Sequence, residues 1–295
     1  MQQIKVEIAG QRLDVFLTEY FSGKHTRSQI TGSIKSGRTT LNGNTVKGGT
    51  CLRIGDIINA NIETNEMTAT PENIDIDIVF EDEHLMIINK PRGMVVHPGA
   101  GNRSGTLLNG LLSLNGNDDK TLDRAGIVHR LDKNTAGLMV VAKTSKAQSQ
   151  LSAMFERHEI NRTYIGLVEG KMPREQGTIN ANIIRDPSHR TLFKTTTSGG
   201  RSAITHYKVL QTFPKWSLVQ FNLETGRTHQ IRVHCKSIGH LLVGDVEYNP
   251  NSSIKVDGQL LESVEISFTH PITHKTIHHK IQPSQLFADT IKRIS

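Results

Sequence analysis

The sequence predicts an α+β protein with two domains, the larger of them built on a mixed or antiparallel sheet. Its 295 residues are enough for two ordinary domains. A polar stretch without periodicity, residues 63–73, lies between two stretches with clear apolar periodicity. After it, many segments alternate at the strand period, and only a few helical patterns come between them. We therefore predict a small domain over residues 1–62, a linker over 63–73 and an α+β domain over 74–295.

Two short helices are predicted in the first domain. Apolar residues recur at helical intervals in residues 11–21. The second helix is predicted to begin after Thr26, whose hydroxyl can accept a capping hydrogen bond, and to end at Gly37. One side of this helix and its exit would carry the basic residues Arg27, Lys35 and Arg38. Such a face is commonly only solvated, but it would also suit a nucleic-acid backbone.

Short strands complete the first domain. The pair Asn42-Gly43 favours a tight turn, so residues 38–49 are predicted to form a hairpin. Residues 53–62 predict one further strand. The order in this domain is therefore helix, helix, hairpin and strand.

The second domain is predicted to begin with a hairpin, because residues 74–91 alternate at the strand period on both sides of a turn at 81–83. Helices are predicted at the end of the loop-rich segment 89–112, over residues 145–157, and over residues 228–239 with Thr228 as N-cap. Later strands are predicted at residues 162–170, 203–213, 216–226, 264–271 and 276–283.

The net charge of +7 is unevenly spread. Residues 1–60 carry eight Lys or Arg against four Asp or Glu, and residues 61–90 carry one against eight. The rest of the chain has a net charge of +10. Two basic blocks therefore flank an acidic connector, and a basic surface favours a polyanion such as nucleic acid as partner. The basic segment 185–202 is predicted to be a loop that either grips a nucleic-acid backbone or is a disordered surface loop.

Several classes of protein are not indicated. No run of about 18 apolar residues predicts a membrane span, and the N-terminus lacks the basic-then-apolar order of a secretory signal. The two cysteines, Cys51 and Cys235, are predicted to be reduced thiols in a cytoplasmic protein. Neither a P-loop, a dinucleotide fingerprint nor a zinc-site spacing is present.

The segment 129–137, HRLDKNTAG, places polar groups between two apolar runs. Residues 126–128 and 138–142 are predicted to be buried strands on either side of it. A lone carboxylate beside an arginine, as in Asp132 and Arg130, is most often structural. A polar loop on a rigid scaffold is also where functional groups are commonly found. The loop by itself does not decide between these interpretations.

Three further segments accompany this loop: INKPRGMVVHPGAGN before it, NRTYIGLVEG after it, and LETGRTHQIRVHCKSIGHLLVGDVEY further on. In this order the four segments resemble the pseudouridine synthases that act on large-subunit ribosomal RNA and some tRNA, most closely the subgroup of ribosomal large subunit pseudouridine synthase D. The resemblance covers about residues 77–250. Residues 11–60 resemble the alpha-L RNA-binding motif named after small-subunit ribosomal protein S-four. Together they imply a pseudouridine synthase catalytic domain preceded by an RNA-binding domain.

The resemblance also implies the chemistry of the site. Asp132 occupies the position of the catalytic aspartate, and both attack on the sugar and removal of a proton from it are compatible with a carboxylate there. Arg232 matches the arginine that pairs with this aspartate, and Tyr164 matches the tyrosine that stacks on the base. From spacing alone, these two residues would be a helix-surface group and a core tyrosine. The reaction needs no cofactor and no metal.

Contacts with RNA are predicted for three more residues of the second domain. Arg130 matches the arginine thought to fill the space left by the extruded nucleotide. Arg227 and His229 lie near a predicted helix N-terminus, where backbone donors and the helix dipole favour a phosphate.

The function that follows is isomerisation of specific uridines to pseudouridine in large-subunit ribosomal RNA, with base flipping, by a cytoplasmic monomer. A tRNA-modifying synthase and a non-catalytic ribosome assembly factor that binds RNA are the alternatives. The sequence departs from the family pattern at Ala136, at Asn249 and in the segment 260–268. These departures spare the catalytic candidates, and they bear on the choice of RNA site and on the packing of the C-terminal strands.

Overall fold

A computed structural model describes residues 2–21, 25, 27–62, 69–99, 101–114, 122–189 and 191–295. The chain divides into two compact units, Met1–Thr68 and Ala69–Ser295. The predicted N-cap Thr26 and residues 63–68 of the predicted linker lie outside the described residues. Within the described ranges, no helix is both long and apolar enough to cross a bilayer.

The first unit contains two helices and a three-stranded antiparallel sheet. Its described elements are β1 (Gln2–Lys5), α1 (Leu13–Tyr20), α2 (Arg27–Lys35), β2 (Thr40–Leu41) and β3 (Ile57–Ala60). β3 lies between the other two strands. Apolar side chains of both helices and of the sheet, among them Leu13, Leu17, Ile30 and Ile58, form one buried core. Both helices and β3 lie where the sequence predicts them, whereas β1 was not predicted.

The predicted hairpin over residues 38–49 is wrong beyond its turn. Asn42 and Gly43 adopt the left-handed conformation of a tight turn, with φ of 52° and 80°. The chain after the turn does not return along β2, because the carbonyl oxygens of Gly48 and Thr50 accept hydrogen bonds from the first N–H groups of α1. β2 pairs with β3 instead.

In the second unit, nine of the described strands form one mixed sheet. The strands of the unit are β4 (Asp77–Glu81), β5 (Leu85–Lys90), β6 (Ala136–Ala142), β7 (Asn161–Glu169), β8 (Gln176–Asn180), β9 (Asn182–Arg185), β10 (Phe193–Thr196), β11 (Ile204–Thr212), β12 (Trp216–Leu223), β13 (Leu261–Thr269) and β14 (Thr276–Lys280). The helices are α3 (Leu107–Leu114), α4 (Ser145–Glu156), α5 (Gln230–Ser237) and α6 (Gln285–Ile294). The sheet order is β4-β5-β6-β13-β7-β12-β11-β8, with β14 beside β13. Only β6 and β13 are parallel neighbours in this sheet, so the predicted mixed sheet is confirmed.

Both faces of β6 are buried, which explains its unbroken apolar sequence. Successive side chains of a strand point to opposite faces. Leu138 and Val140 pack in one core with apolar residues of α4, whereas Met139 and Val141 pack in a second core with residues of α3. β6 is therefore fixed from both sides, and so is the turn that precedes it.

The predicted strand at residues 126–128 is wrong. A 3-10 turn, Asp123–Gly126, precedes Ile127, which makes only a single bridge to β6. Gly126 has a φ of 83°, and a Cβ atom there would lie 1.9 Å from the carbonyl oxygen of Ala142. The chain approaches β6 too closely at this point to continue as a paired strand.

The predicted loop over residues 185–202 is wrong in part. It contains β10 and the last residue of β9, and these two strands pair antiparallel with Arg185 opposite Phe193. The Arg185 guanidinium lies over the Phe193 ring, 5.3 Å from its centroid. This hairpin forms a small sheet of its own beside the large one.

α5 begins after a different cap from the predicted one. The N-cap is His229, with a φ of 56°, and not Thr228. The His229 side chain makes no capping hydrogen bond. Instead Gln230, the first helical residue, folds back so that its Oε1 accepts from the Arg227 N–H and from the Thr225 hydroxyl. The Gln230 side chain therefore fixes the loop that leads into α5, and the predicted hydroxyl cap by Thr228 is wrong.

Candidate active site

The turn that carries Asp132 is fixed by hydrogen bonds and by the closeness of β13. The Asp132 carbonyl oxygen accepts from the Thr135 N–H at 3.1 Å. The Thr135 hydroxyl in turn accepts from Nε2 of Gln259 at 3.0 Å. Gly137 has a φ of 114°, and a Cβ atom there would lie 2.1 Å from the carbonyl oxygen of Ser263. Only glycine, which has no Cβ atom, allows β6 to start this close to β13. The same close approach holds the turn before β6 in place.

A buried lysine links the same turn to the loop after β5. The Lys90 side chain is fully buried, and its Nζ donates to the carbonyl oxygens of Pro91, Met94 and Lys133 at 2.8, 2.9 and 3.2 Å. Burial lowers the pKa of Lys90 to about 7. The three acceptors partly offset the cost of removing the amine from water. Lys90 thereby holds the backbone of the residue that follows Asp132.

His129 orders the start of the turn. Its ring lies on Phe155 of α4, with 4.5 Å between centroids. Its Nε2 accepts from the Val140 N–H at 3.0 Å, which places the ring proton on Nδ1. Burial lowers the pKa of His129 to about 3, so the ring is neutral at physiological pH. These contacts assign His129 a packing role.

Arg232 of α5 brings a permanent positive charge to Asp132. Its Nη1 lies 3.4 Å from Oδ2 of Asp132. Its Nε and Nη2 donate to the two carboxylate oxygens of Asp245, each at 2.7 Å, and Nη2 also donates to Glu247 at 2.6 Å. The ring of Tyr248 lies 4.7 Å from the guanidinium carbon. Burial alone would lower the pKa of Arg232, but hydrogen bonds with Asp245 and the nearby carboxylates raise it.

Asp132, Arg232 and Tyr164 line one cleft of about 560 Å³. The side chains of Asp132 and Arg232 are 16% and 4% exposed, so the carboxylate is reached through this cleft. Tyr164 comes from β7 and is also buried. Burial raises the pKa of the Tyr164 phenol, which therefore keeps its proton. The structure thus brings together three residues that lie far apart in the chain.

His229 contacts the second oxygen of the same carboxylate. Its Nε2 lies 3.9 Å from Oδ1 of Asp132, and its Nδ1 lies 2.9 Å from the Tyr248 hydroxyl. The ring thus lies between Asp132 and Tyr248. The phosphate contact that the sequence suggests for His229 stays a prediction.

Three residues of the cleft fall within a segment that matches a known family. A family model described as RNA pseudouridylate synthase matches residues 84–237, just over half of the chain. The chain belongs to that family. The matched range contains Asp132, Tyr164 and Arg232.

Relatives of this synthase are similar over nearly its whole length. A Bacillus subtilis (strain 168) protein named uncharacterized RNA pseudouridine synthase YlyB is 37% identical over 100% of this chain and 99% of its own. A Neisseria meningitidis protein named ribosomal large subunit pseudouridine synthase D is 40% identical over 93% of this chain and 76% of its own.

Solved structures share the fold of the synthase. Human RNA pseudouridylate synthase domain containing 4 aligns with a TM-score of 0.60 at 20% identity, covering 74% of this chain and 92% of that chain. Human RNA pseudouridylate synthase domain containing 1 aligns with a TM-score of 0.57 at 21% identity, covering 75% and 96%. At these identities the likeness concerns the fold alone.

The residues predicted to contact RNA fall into two places in the synthase. Arg130 and Arg227 line the cleft, and Nε of Arg227 donates to the Ser202 carbonyl oxygen at 2.9 Å. The three predicted RNA contacts of the first unit, on α2 and just after it, are Arg27, Lys35 and Arg38. The RNA contacts of all five stay predictions.

Sequence reasoning missed Arg162, which also lines the cleft. Its side chain is buried, and the guanidinium lies 5.2 Å from the Phe155 ring centroid. Among the described residues, its Nε has no hydrogen-bond partner. Arg162 precedes Tyr164 by two positions on β7, so both side chains point to the same face. That spacing was the signal that could have found it.

Asp245 was missed as well. The segment GDVEY was noted only as part of the family pattern, yet Asp245 is fully buried and binds two nitrogens of Arg232. A fully buried aspartate needs a cationic partner, so its apolar surroundings in LLVGDV were the available signal.

Metal-binding and thiol chemistry find little support in the described part of the chain. No group of three or more His, Cys, Asp or Glu side chains there is placed to hold a metal ion. Cys51 and Cys235 are free thiols. Burial raises the pKa of Cys235, which makes it a packing residue and not a thiolate nucleophile.

Proposed function

We propose that this synthase converts uridine in large-subunit ribosomal RNA to pseudouridine, with Asp132 as the catalytic carboxylate. The observation that carries the proposal is the 3.4 Å contact of Asp132 with Arg232 in a cleft that Tyr164 also lines. The relatives named ribosomal large subunit pseudouridine synthase D support the choice of RNA.

The reaction asks for a carboxylate near the sugar. In the isomerisation the bond from C1′ to N1 breaks, a bond from C1′ to C5 forms, N1 gains a proton and C5 loses one. Asp132 can act by attacking the sugar as a nucleophile or by removing a proton from it, as glycoside-cleaving carboxylates and general bases do. Arg232 stabilises negative charge on Oδ2 and orients the carboxylate for either route.

Tyr164 is proposed to hold the detached uracil. Its side chain lines the cleft together with Asp132, and an aromatic ring can stack on a base that has left its helix. Because burial raises the pKa of its phenol, Tyr164 keeps its proton and would first serve as a proton donor. We therefore expect it to keep the base close while the base rotates.

Base flipping is proposed because the carboxylate is recessed. A base that is still stacked in a helix could not bring its sugar junction to a side chain that is only 16% exposed. Extrusion costs a few kcal/mol in a duplex and less in a loop, which favours a loop uridine as target. Arg130, exposed at the edge of the cleft, is proposed to take the place of the extruded nucleotide.

The test compares wild type, Asp132→Asn and a matched control on RNA transcripts that lack pseudouridine. Carbodiimide mapping would locate pseudouridine in large-subunit ribosomal RNA and in tRNA. We expect wild type to modify the ribosomal transcript and Asp132→Asn to bind it with no product above background. Asp289→Asn makes the same chemical change on the exposed side of α6 and should behave like wild type.

Each other outcome has a defined meaning. Product in tRNA alone would identify a tRNA-modifying synthase and overturn the proposed substrate. An Asp132→Asn protein as active as wild type would overturn the proposed catalytic carboxylate. If wild type binds ribosomal RNA but forms no product in any RNA, a non-catalytic assembly factor is the better interpretation.

We also propose that residues 1–62 form an alpha-L RNA-binding domain, joined by residues 63–73 to the catalytic domain over 74–295. Support comes from the two helices and short strands of the first unit, and from exposed Arg27 and Lys35 on α2. The double variant Arg27→Glu, Lys35→Glu should weaken RNA binding and flatten its salt dependence by about two counterions. The rate at which this double variant forms pseudouridine at saturating enzyme should be unchanged. We also propose that the protein is a cytoplasmic monomer. Sedimentation would test whether it is monomeric.

A further inference from the structure

We propose that His229 is a positioning residue for Asp132, and that Tyr248 and the β9–β10 hairpin select the imidazole tautomer that performs this role. The proposal rests on the proposed function of Asp132. It differs from the phosphate contact that the sequence suggests for His229.

The two oxygens of Asp132 have separate partners. Arg232 lies 3.4 Å from Oδ2, and Nε2 of His229 lies 3.9 Å from Oδ1. Hydrogen bonds to catalytic groups are often long before substrate binds and tighten in the complex. Approach by roughly 1 Å would bring His229 to hydrogen-bond distance and fix the carboxylate at both ends.

The hydrogen bonds of Tyr248 determine which ring nitrogen of His229 carries the proton. The Tyr248 oxygen accepts from the Phe193 N–H at 2.9 Å. Burial raises the pKa of Tyr248 to about 12, so the phenol keeps its proton and can donate it to Nδ1 of His229, 2.9 Å away. The ring proton then lies on Nε2, the nitrogen that faces Asp132. The opposite tautomer would leave the phenol proton without this acceptor and turn a lone pair towards the carboxylate.

The surroundings keep this ring neutral and in place. Burial lowers the pKa of His229, Asp132 acts in the opposite direction, and Arg232 lowers it further. The Phe193 ring meets the imidazole edge-on, with 5.6 Å between centroids. A neutral imidazole donates a hydrogen bond to Asp132 without neutralising the charge that the reaction requires.

The backbone of His229 permits a sharp choice of variants. Its φ of 56° lies in the left-handed region, which asparagine adopts readily and glutamine does not. Backbone needs alone would therefore favour asparagine over glutamine at this position. The amide nitrogen of glutamine reaches the position of Nε2, whereas that of asparagine reaches only the position of Nδ1. If His229 served only the backbone, His229→Asn would be the more active variant. If His229 contacts Asp132 as proposed, His229→Gln should be the more active variant.

The hairpin gives this arrangement a connection to RNA. Phe193 is the first residue of β10, and the Arg185 guanidinium covers its ring. RNA that binds the basic hairpin would hold the Phe193 N–H in place and, through Tyr248 and His229, the carboxylate. The hairpin thus links substrate binding to the geometry of Asp132.

The experiment measures single-turnover pseudouridine formation at saturating enzyme, together with RNA affinity, for wild type, His229→Gln, His229→Asn and Tyr248→Phe. We expect His229→Gln to stay within about 5-fold of the wild-type rate and His229→Asn to lose about 30-fold or more, since a misplacement of about 1 Å at the reacting centre can cost about 100-fold. RNA dissociation constants should stay within about 2-fold, because the proposed contact is to Asp132 and not to phosphate. Tyr248→Phe keeps the ring beside Arg232 but loses the hydroxyl, and its rate should fall between the two.

Several outcomes would overturn the proposal. These are a rate for His229→Asn at or above that of His229→Gln, wild-type rates in both, or weaker RNA binding with an unchanged saturated rate. If neither His229 variant folds, Tyr248→Phe decides, since an unchanged rate there removes the tautomer argument. Wild-type activity in the same assay separates this result from a failure of the proposed function, in which wild type itself would form no product.

Discussion

Arg232 and Asp245 are joined by two hydrogen bonds of 2.7 Å, whereas Arg232 and Asp132 are 3.4 Å apart. The guanidinium is therefore held by Asp245, and Asp132 is its looser partner. The carboxylate that we propose to react can therefore change its position or its charge without moving the arginine. This division of roles gives the first prediction.

Asp245→Ala should cost the protein about 3–5 kcal/mol of unfolding free energy, because it leaves a buried guanidinium without its main partner. Urea unfolding followed by circular dichroism would measure the change. Glu265→Ala is the matched control, since it removes the carboxylate from an exposed pair with His278 and should cost no more than about 1 kcal/mol. Equal effects of the two changes would show that the buried pair does not support the fold.

Arg232→Lys should lower the saturated rate of pseudouridine formation by about 100-fold, the scale expected for a misplacement of about 1 Å. Lysine keeps the charge but lacks the planar fork that binds Asp245 and still reaches Asp132. Arg293→Lys, on the exposed side of α6, should leave the rate unchanged. A near-normal rate for Arg232→Lys would mean that a point charge beside Asp132 suffices.

Gly137→Ala should destabilise the second unit by about 3 kcal/mol or more, because its Cβ would overlap backbone atoms of Ser263 in β13. Gly239→Ala is the comparison: it also has a positive φ, 79°, but its Cβ would meet nothing within 4 Å. That change should lower the free energy of unfolding only by the cost of a left-handed backbone for alanine, about 1–2 kcal/mol. Thermal unfolding of both variants distinguishes the overlap from the strain, and equal losses would contradict the close approach of β6 and β13.

The stability of wild type should rise relative to Lys90→Met as the pH increases above 7. The folded-state pKa of Lys90 is about 7 and the ordinary value is 10.5, so between these values the unfolded chain holds a proton that the folded chain has released. Stability then increases with pH by at most about 1.4 kcal/mol per unit, whereas below pH 7 both states are protonated and the term is constant. Urea unfolding at pH 6, 7, 8 and 9 would measure the difference. Parallel curves would show that the three carbonyl acceptors keep the amine protonated.

Sequence reasoning succeeded where periodicity is strong and the neighbours are local. β5, β6, α4 and α5 follow the apolar patterns of their own residues. Asp132, Tyr164 and Arg232 were selected together from four ordered segments, and the structure places them in one cleft. From spacing alone, Arg232 would have been assigned to a helix surface, because the acids that draw it inwards lie beyond the helix.

The failures share one cause, which is a partner distant in the sequence. The segment after the Asn42-Gly43 turn bonds to the start of α1 and so does not form a hairpin strand. Residues 126–128 pack against β6 at Gly126 too closely to pair along their length. The 185–202 segment is basic and turn-rich, and its hairpin is stabilised by Phe193 packing against His229 of the cleft. None of these contacts produces a periodic pattern of apolar residues in the segment itself.

The position of β13 has a consequence for the synthesis of the protein. This strand lies between β6, which follows Asp132, and β7, which carries Tyr164, and the two outer strands are not hydrogen-bonded to each other. Until residues 261–269 are made, the two halves of the site have no common edge. A nascent chain that has not yet reached the end of β13 would thus lack the assembled site, and chemistry would begin only after this strand has paired with β6 and β7.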